Sequence, residues 1–351
     1  MHKHASFNIK IIMKKLNFGI VGCGRIANRH AIHINSLGNL TAVCDIDINK
    51  ANKFGDQYNC NIYDDIDKLL NNEKDIDVIS ICTPNGLHSD HAIKSLNKGF
   101  HVLVEKPMAL NVHDCGEMIK TAERANKRLF IVKQNRFNPP VIKVKDLLDN
   151  KKLGKVFSFQ LNCFWNRNDN YYNKSYWKGT NDLDGGILYT QFSHFIDLLY
   201  FFFGEVIKSY SFSNNYNHNE TIDFDDTIVS ILYFYSGIIG TINCTINSYD
   251  KNMEGSLTIF GEKGTVKIGG QYLNELEYQN IKGIDKIVVD KGNPPNNYGE
   301  YVGSMSNHYD VYKNVIETIN GKGVIMTNCY DGLMTVQIID KIYNSNERLH
   351  L

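Results

Sequence analysis

The chain of 351 residues has no net charge, with 38 basic side chains balanced by 38 acidic ones. That absence removes any bulk electrostatic case for nucleic acid or an anionic membrane as partner. Only a local basic pocket is left for a charged ligand. The eight cysteines, at 23, 44, 60, 82, 115, 163, 244 and 329, form no CxxC pair and no zinc-ligand spacing. Several sit in apolar runs such as Val43-Cys44 and Ile81-Cys82, reading as small buried hydrophobes of a protein in a reducing cytoplasm. No segment offers the roughly 18 to 20 apolar residues that cross a bilayer. The richest run, residues 195–203, is short and carries Asp197. Residues 1–12 lack the apolar core and cleavage site of a signal peptide and read as an extension before Met13. Neither an internal repeat nor a low-complexity linker is present.

What is there is an ordinary globular composition, 42% hydrophobic and 22% charged, at a length suited to two domains. Up to residue 137, short apolar runs at 16–21, 40–44, 61–63, 78–82, 102–104 and 129–132 alternate with amphipathic helical stretches, clearest at 90–98 and 112–125. This alternation predicts an α/β Rossmann domain over residues 13–137, a doubly wound parallel sheet with helices on both faces. After Asn138-Pro139-Pro140 the period changes. One amphipathic helix at 141–148 gives way to strand alternation, with Ile242, Cys244 and Ile246 on one face and Thr241, Asn243 and Thr245 on the other. Runs at 257–260 and 265–268, joined by Gly261-Glu262-Lys263-Gly264, predict a hairpin, and helical patterns near 304–319 and 328–343 close the chain. Residues 138–351 thus form an α+β substrate and oligomerisation domain with a large, mostly antiparallel open sheet. An exposed face on such a sheet predicts a homo-oligomer, dimer or tetramer.

The first strand runs into Gly22-Cys23-Gly24-Arg25-Ile26-Ala27, a GxGxxA turn into a helix. Gly22 allows the tight turn, Gly24 lets the backbone approach a pyrophosphate, and Ala27 lets helix and strand pack. Asp45 ends the second strand about twenty residues on, where a carboxylate accepts from a ribose diol. It repels a 2′-phosphate and no basic residue follows it, so NAD is favoured over NADP.

Two further strand ends carry polar groups: Thr83-Pro84-Asn85-Gly86-Leu87-His88 and Glu105-Lys106-Pro107. Ligands of an open parallel sheet bind outside these carboxyl ends. A lysine beside a cationic nicotinamide has a lowered pKa and suits proton transfer, which singles out Lys106. His194 is the second catalytic candidate; the spacing predicts one helical face shared by Gln191, His194 and Asp197. His30/His33 and His88/His91 have HxxH spacing but no third ligand pattern, so no metal is expected and they read as helix-surface or cofactor-proximal residues. A third cluster interleaves Trp165, Arg167, Tyr171, Tyr172, Trp177 and Lys178, aromatic faces for a base or sugar with cations for phosphate or carboxylate.

Together, GIVGCGRIA, CTPNGLH, VEKP and the histidine helix resemble the Gfo/Idh/MocA oxidoreductases from Met13 onward. The resemblance implies proton transfer at Lys106 and His194, leaving open which is the base. It also implies a cofactor set of Gly22, Gly24, Arg25, Ile26, Asp45, Thr83, Asn85, His88, Glu105, Lys106 and Gln134. Many members have an aspartate four residues before the histidine; Thr190 stands there. LNCFWNRN, YYNKSYWKGT and LDGGILYTQFSHFIDLLYFFFG are similar to one subgroup, the UDP-N-acetylglucosaminuronate 3-dehydrogenases of bacterial O-antigen and surface-polysaccharide pathways. That similarity implies a nucleotide-sugar substrate held by Lys106, Arg136, Trp165, Arg167, Trp177, Lys178, Gln191 and His194. It further implies oxidation at carbon 3 ahead of an aminotransferase, with an NAD that some relatives retain and recycle with 2-oxoglutarate. The rival expectations are another sugar, amino-sugar or inositol dehydrogenase, and a non-catalytic NAD-binding regulator.

Overall fold

A computed structural model describes residues 14–297, 299 and 302–348; the expected extension over residues 1–12 lies outside them. Strands β1 (Asn17–Val21), β2 (Asn39–Cys44), β3 (Asn61–Tyr63), β4 (Val78–Ile81), β5 (His101–Val104) and β6 (Leu129–Ile131) form one sheet. They pair in parallel throughout, in the order β3-β2-β1-β4-β5-β6. All four residues of β4 are buried, as a strand covered by helices on both faces requires. Connections run through α1 (Ala27–Leu37), α2 (Ile48–Tyr58), α3 (Ile66–Asn72), α4 (His88–Asn97) and α5 (Val112–Arg124). The side chains of Asp47, Asp65 and Asn111 cap the starts of α2, α3 and α5 by accepting from Asn49 N, Lys68 N and Asp114 N.

The second unit opens with α6 (Pro139–Asp149), whose proline at the first helical position suits an N–H that has no partner there anyway. Its sheet comprises β7 (Val156–Phe164), β8 (Val206–Asn214), β9 (Thr227–Phe234), β10 (Ile239–Thr245), β11 (Glu254–Gly261), β12 (Gly264–Gly269) and β13 (Glu275–Ile281). A two-stranded ribbon of β14 (Pro295–Asn297) and β15 (Val302–Met305) stands apart, and β16 (Asn346–Arg348) closes the large sheet. The order is β13-β12-β11-β7-β10-β9-β8-β16, antiparallel except for β7 with β10 and β8 with β16. On β9, Ile228, Ser230, Leu232 and Phe234 are buried while Val229, Ile231 and Tyr233 face outward. The remaining helices are α7 (Asp169–Asn173), α8 (Ile187–Thr190), α9 (Ser193–Phe203), α10 (His308–Ile319) and α11 (Cys329–Asn344). Phe203 of α9 packs on Phe159 and Phe234 of the inner sheet face.

Two features depart from the sequence pattern. The single helical face expected for Gln191, His194 and Asp197 is interrupted. The Ile187 carbonyl accepts from the N–H groups of both Gln191 and Phe192, closing α8, and α9 starts afresh at Ser193. In addition, α10 crosses back to the first sheet: Val311, Tyr312, Val315 and Ile316 share a core with Phe18, Ile20, Ala31 and Ile34. The change of period near residue 138 separates the two sheets, and the two packed units interlock beyond it.

Candidate active site

A cavity of about 810 Å³ lies between the carboxyl ends of the parallel strands and the second unit. Gly22, with φ of +94°, sits so close to the next strand that a Cβ would stand 2.8 Å from the Cys82 carbonyl. Only glycine fits that crossing. Gly24 differs: a Cβ there would meet no protein atom within 4 Å, so the backbone faces open cavity. Arg25 and Ile26 follow at the start of α1 and also line the cavity. Asp45 is fixed by two backbone donors, Cys23 N at 2.7 Å and Asp47 N at 2.8 Å, which aim its carboxylate along the wall. An open glycine cradle at a helix start with a pinned carboxylate beyond it fits a dinucleotide.

Thr83, Asn85, His88, Glu105, Lys106 and Gln134 continue the same wall. His88 bridges two carbonyls, Pro107 O at 2.7 Å and Thr83 O at 2.9 Å, locking the two strand-end turns together. Burial lowers its pKa, and the two carbonyl contacts act against that shift. Across the cavity stand Trp165, Arg167, Trp177, Lys178, Gln191 and His194.

Lys106 and His194 therefore share one cavity. The Lys106 ammonium donates to the Thr190 carbonyl at 2.5 Å. Burial lowers its pKa, Arg167 and Lys133 push the same way, and Glu105 and Asp184 oppose them. Burial, then the charge of Lys106, hold His194 well below its usual value and hence neutral. Its Nδ1 and the Gln191 Oε1 are buried with no hydrogen-bond partner among the described residues. Buried polar atoms of that kind are costly unless a ligand satisfies them.

Sequence reasoning missed what supports Glu105. His30 Nε2 and His308 Nε2 both reach its Oε1, at 2.8 and 3.0 Å. Tyr312 bonds His30 Nδ1 at 2.7 Å and Ser80 at 2.8 Å, so the chain of contacts ends inside the first sheet. Burial pushes the Glu105 carboxyl up, yet the two imidazole donors outweigh it and hold the group well below the usual carboxylate range. The HxxH reading lacked its third member because His308 lies in α10, far along the chain. These three ligand atoms lie within 4.8 Å of one another, near enough for a cation, but each is engaged in the hydrogen bonds just given.

The aromatic–basic wall is built from β7 outward. Arg167 stacks between Trp165 and Tyr171, 5.0 and 5.1 Å from the ring centres, and donates to Asn166 O and Asn252 Oδ1. Lys178 lies 3.6 Å over the Tyr171 ring. His218, itself tied to Asp226, bonds the Arg167 carbonyl at 2.7 Å and so fixes that stretch of backbone.

Arg136 is a correction. It does not line the cavity; it is 2% exposed, forked onto Asp197 at 2.7 and 2.8 Å, and bonded to Asp331 and the Met326 carbonyl. Lys133 also meets Asp197, at 2.9 Å. Every donor of this guanidinium that could grip substrate is turned into a structural knot between the two units. Asp197, one helical turn from His194, belongs to that knot and not to the cavity.

Three likenesses bear on the site. A Bordetella pertussis WlbA dehydrogenase, solved in complex with NADH and UDP-GlcNAcA, superposes with a TM-score of 0.85 at 31% identity, covering 95% of this chain and 96% of that one. The WlbA dehydrogenase of Chromobacterium violaceum, in complex with the same two ligands, gives 0.85 at 33% identity over 94% and 93%. The myo-inositol 2-dehydrogenase of Thermotoga maritima is 25% identical over 260 residues, 72% of this chain and 74% of that protein. Residues 16–133 match the oxidoreductase family's NAD-binding Rossmann fold and residues 145–350 its C-terminal alpha/beta domain, so the chain belongs to the Gfo/Idh/MocA oxidoreductase family.

Proposed function

We propose that this oxidoreductase converts the carbon-3 hydroxyl of UDP-N-acetylglucosaminuronate to a ketone, in bacterial surface-polysaccharide (O-antigen) assembly. The observation that carries the reading is one cavity that Lys106 and His194 share with the stacked Trp165, Arg167, Tyr171 and Lys178. A uracil, a diphosphate and a carboxylate each find partners on that wall, rings for the base and the cations Arg167 and Lys178 for the anionic groups. The two WlbA dehydrogenases bound to NADH and UDP-GlcNAcA, alike over nearly the whole chain, support the same substrate.

NAD, held by the Gly22–Ile26 turn, Asp45 and the residues around Thr83 and Glu105, supplies a hydride acceptor when bound. Burial raises the neutral fraction of Lys106, which takes the hydroxyl proton. His194 is the weaker base, because its own pKa is held well below the usual value. It donates a hydrogen bond that orients the reacting oxygen. Gln191, with a free buried Oε1, holds a neighbouring donor of the sugar. As carbon 3 loses its hydride, its oxygen loses a proton to Lys106, and the product is a 3-keto sugar, an ammonium and NADH.

The test is NADH fluorescence and product mass on purified protein given UDP-N-acetylglucosaminuronate, with and without 2-oxoglutarate. The expected result is a product lighter by two hydrogens; turnover in the presence of 2-oxoglutarate and no other oxidant reports a retained, recycled cofactor. Turnover of free inositol or glucose in its place favours the polyol reading. The outward apolar face, with Phe157, Tyr210, Phe212, Ile231, Tyr233 and Ile239 each at least two-fifths exposed, fits a second copy of the chain. Ile231→Lys then lowers the mass seen by light scattering. Eight free cysteines suit a reducing cytoplasm, and among the described residues no helix is long and apolar enough to cross a membrane.

A further inference from the structure

We infer that Asp184, on the loop before α8, is the positioning residue and counter-charge of Lys106, with Thr190 joining the two. The inference rests on the role proposed above for Lys106. Asp184 is wholly buried, and its carboxylate accepts from the Thr190 hydroxyl and from Gly179 N at 2.8 Å. Thr190 in turn offers its carbonyl to the Lys106 ammonium at 2.5 Å and its hydroxyl oxygen to Asn85 Nδ2 at 2.7 Å. Asn85 also bonds the Asp184 carbonyl, at 2.9 Å. The carboxylate, the threonine and the amide thus form one block behind the amine. Burial raises the pKa of Asp184 to about 6, against the bonds from Thr190 and Gly179 and the charges of Lys178 and Lys106. Tyr172 and Tyr343 are the other titratable groups that feel it. Above that value Asp184 is an anion facing an amine that becomes a cation when the sugar hydroxyl gives up its proton. The anion therefore stabilises the state in which Lys106 has gained the proton more than the state before. Thr190 occupies the position where many family members carry an aspartate, and the carboxylate is supplied here from six residues upstream.

Asp184→Asn keeps the shape and most of the hydrogen bonds. It is expected to lower kcat about 10- to 100-fold with KM nearly unchanged. Without its anion Lys106 becomes a weaker base, so the acid limb of the kcat/KM profile moves to lower pH by roughly one unit. Thr190→Val removes a bond that helps keep Asp184 ionised, and gives the same shifts in smaller measure. A readout free of turnover is the pH dependence of Lys106 acetylation in the NAD complex, followed by mass spectrometry. Its midpoint falls in Asp184→Asn. An unmoved acid limb and an unmoved acetylation midpoint in both variants would overturn the inference, leaving Asp184 as a packing residue. Activity surviving in Lys106→Met would instead remove the reading beneath it, and the acetylation midpoint still tells whether Asp184 governs Lys106.

Discussion

Two groups of buried charge lie a helical turn apart and could hardly be treated more differently. Around Asp197, the charges of Arg136, Lys133 and Asp331 are matched, with short bonds and a cation over the Phe201 ring. Around His194, an imidazole nitrogen and an amide oxygen are buried and left unsatisfied, and burial lowers the basicity of the Lys106 amine. One group joins the two units and spends its bonding capacity on the protein. The other keeps capacity in reserve for a ligand. The contrast teaches that burial and charge do not mark a site by themselves; unmet hydrogen-bonding demand facing a cavity does.

Substitutions that separate the two groups sharpen the comparison. Lys106→Met is expected to reduce turnover by about 10²- to 10⁴-fold while the melting temperature and NAD affinity stay close to those of the parent, as stopped-flow and calorimetry would report. Asp197→Ala does the reverse. Leaving Arg136 and Lys133 buried without their anion costs roughly 3–5 kcal/mol of stability by denaturant unfolding, with kcat preserved wherever the protein is folded. A loss of turnover in folded Asp197→Ala would break the division. Acid provides a third lever. Burial alone would raise the Asp197 pKa, but Arg136 and Lys133 outweigh it and depress the folded value well below that of the unfolded chain. Its contribution is full above about pH 4 and is lost as pH falls through the folded pKa. Thermal melts of the parent should therefore drop more steeply in acid than those of Asp197→Ala. The smallest effect is at the far end of the cavity: Asp45→Asn weakens NAD binding about tenfold, near 1.4 kcal/mol, and leaves stability almost unchanged.

Much of this was legible in the sequence because the signals are local. Strand–helix alternation, the Gly22–Ala27 turn and the period-two pattern at 241–246 depend on neighbours within a few residues. Strand ends of a parallel sheet converge on one edge, so Asp45, Thr83 and Lys106 could be assigned to one wall before any coordinates. What escaped depends on distant partners. Arg136 follows Gln134, which does line the cavity, and its fate is set by Asp197 and Asp331, 61 and 195 residues away. His30 takes its meaning from Glu105 and His308, and nothing in the α1 sequence announces either. Asp184 precedes Gly185-Gly186 with no sign of its role, because the thread that ties it to Lys106 runs through the hydroxyl and carbonyl of Thr190. The break at Gln191 was hidden by unbroken helical spacing, since two N–H groups sharing one carbonyl leave no mark in residue type.

The most direct test is a crystal structure of the protein with NADH and UDP-N-acetylglucosaminuronate. The Lys106 amine and the His194 ring are expected both within hydrogen-bond reach of the sugar's third hydroxyl, with that carbon against the nicotinamide and Arg136 still on Asp197. A sugar bound with its third hydroxyl turned away from either group would contradict this expectation.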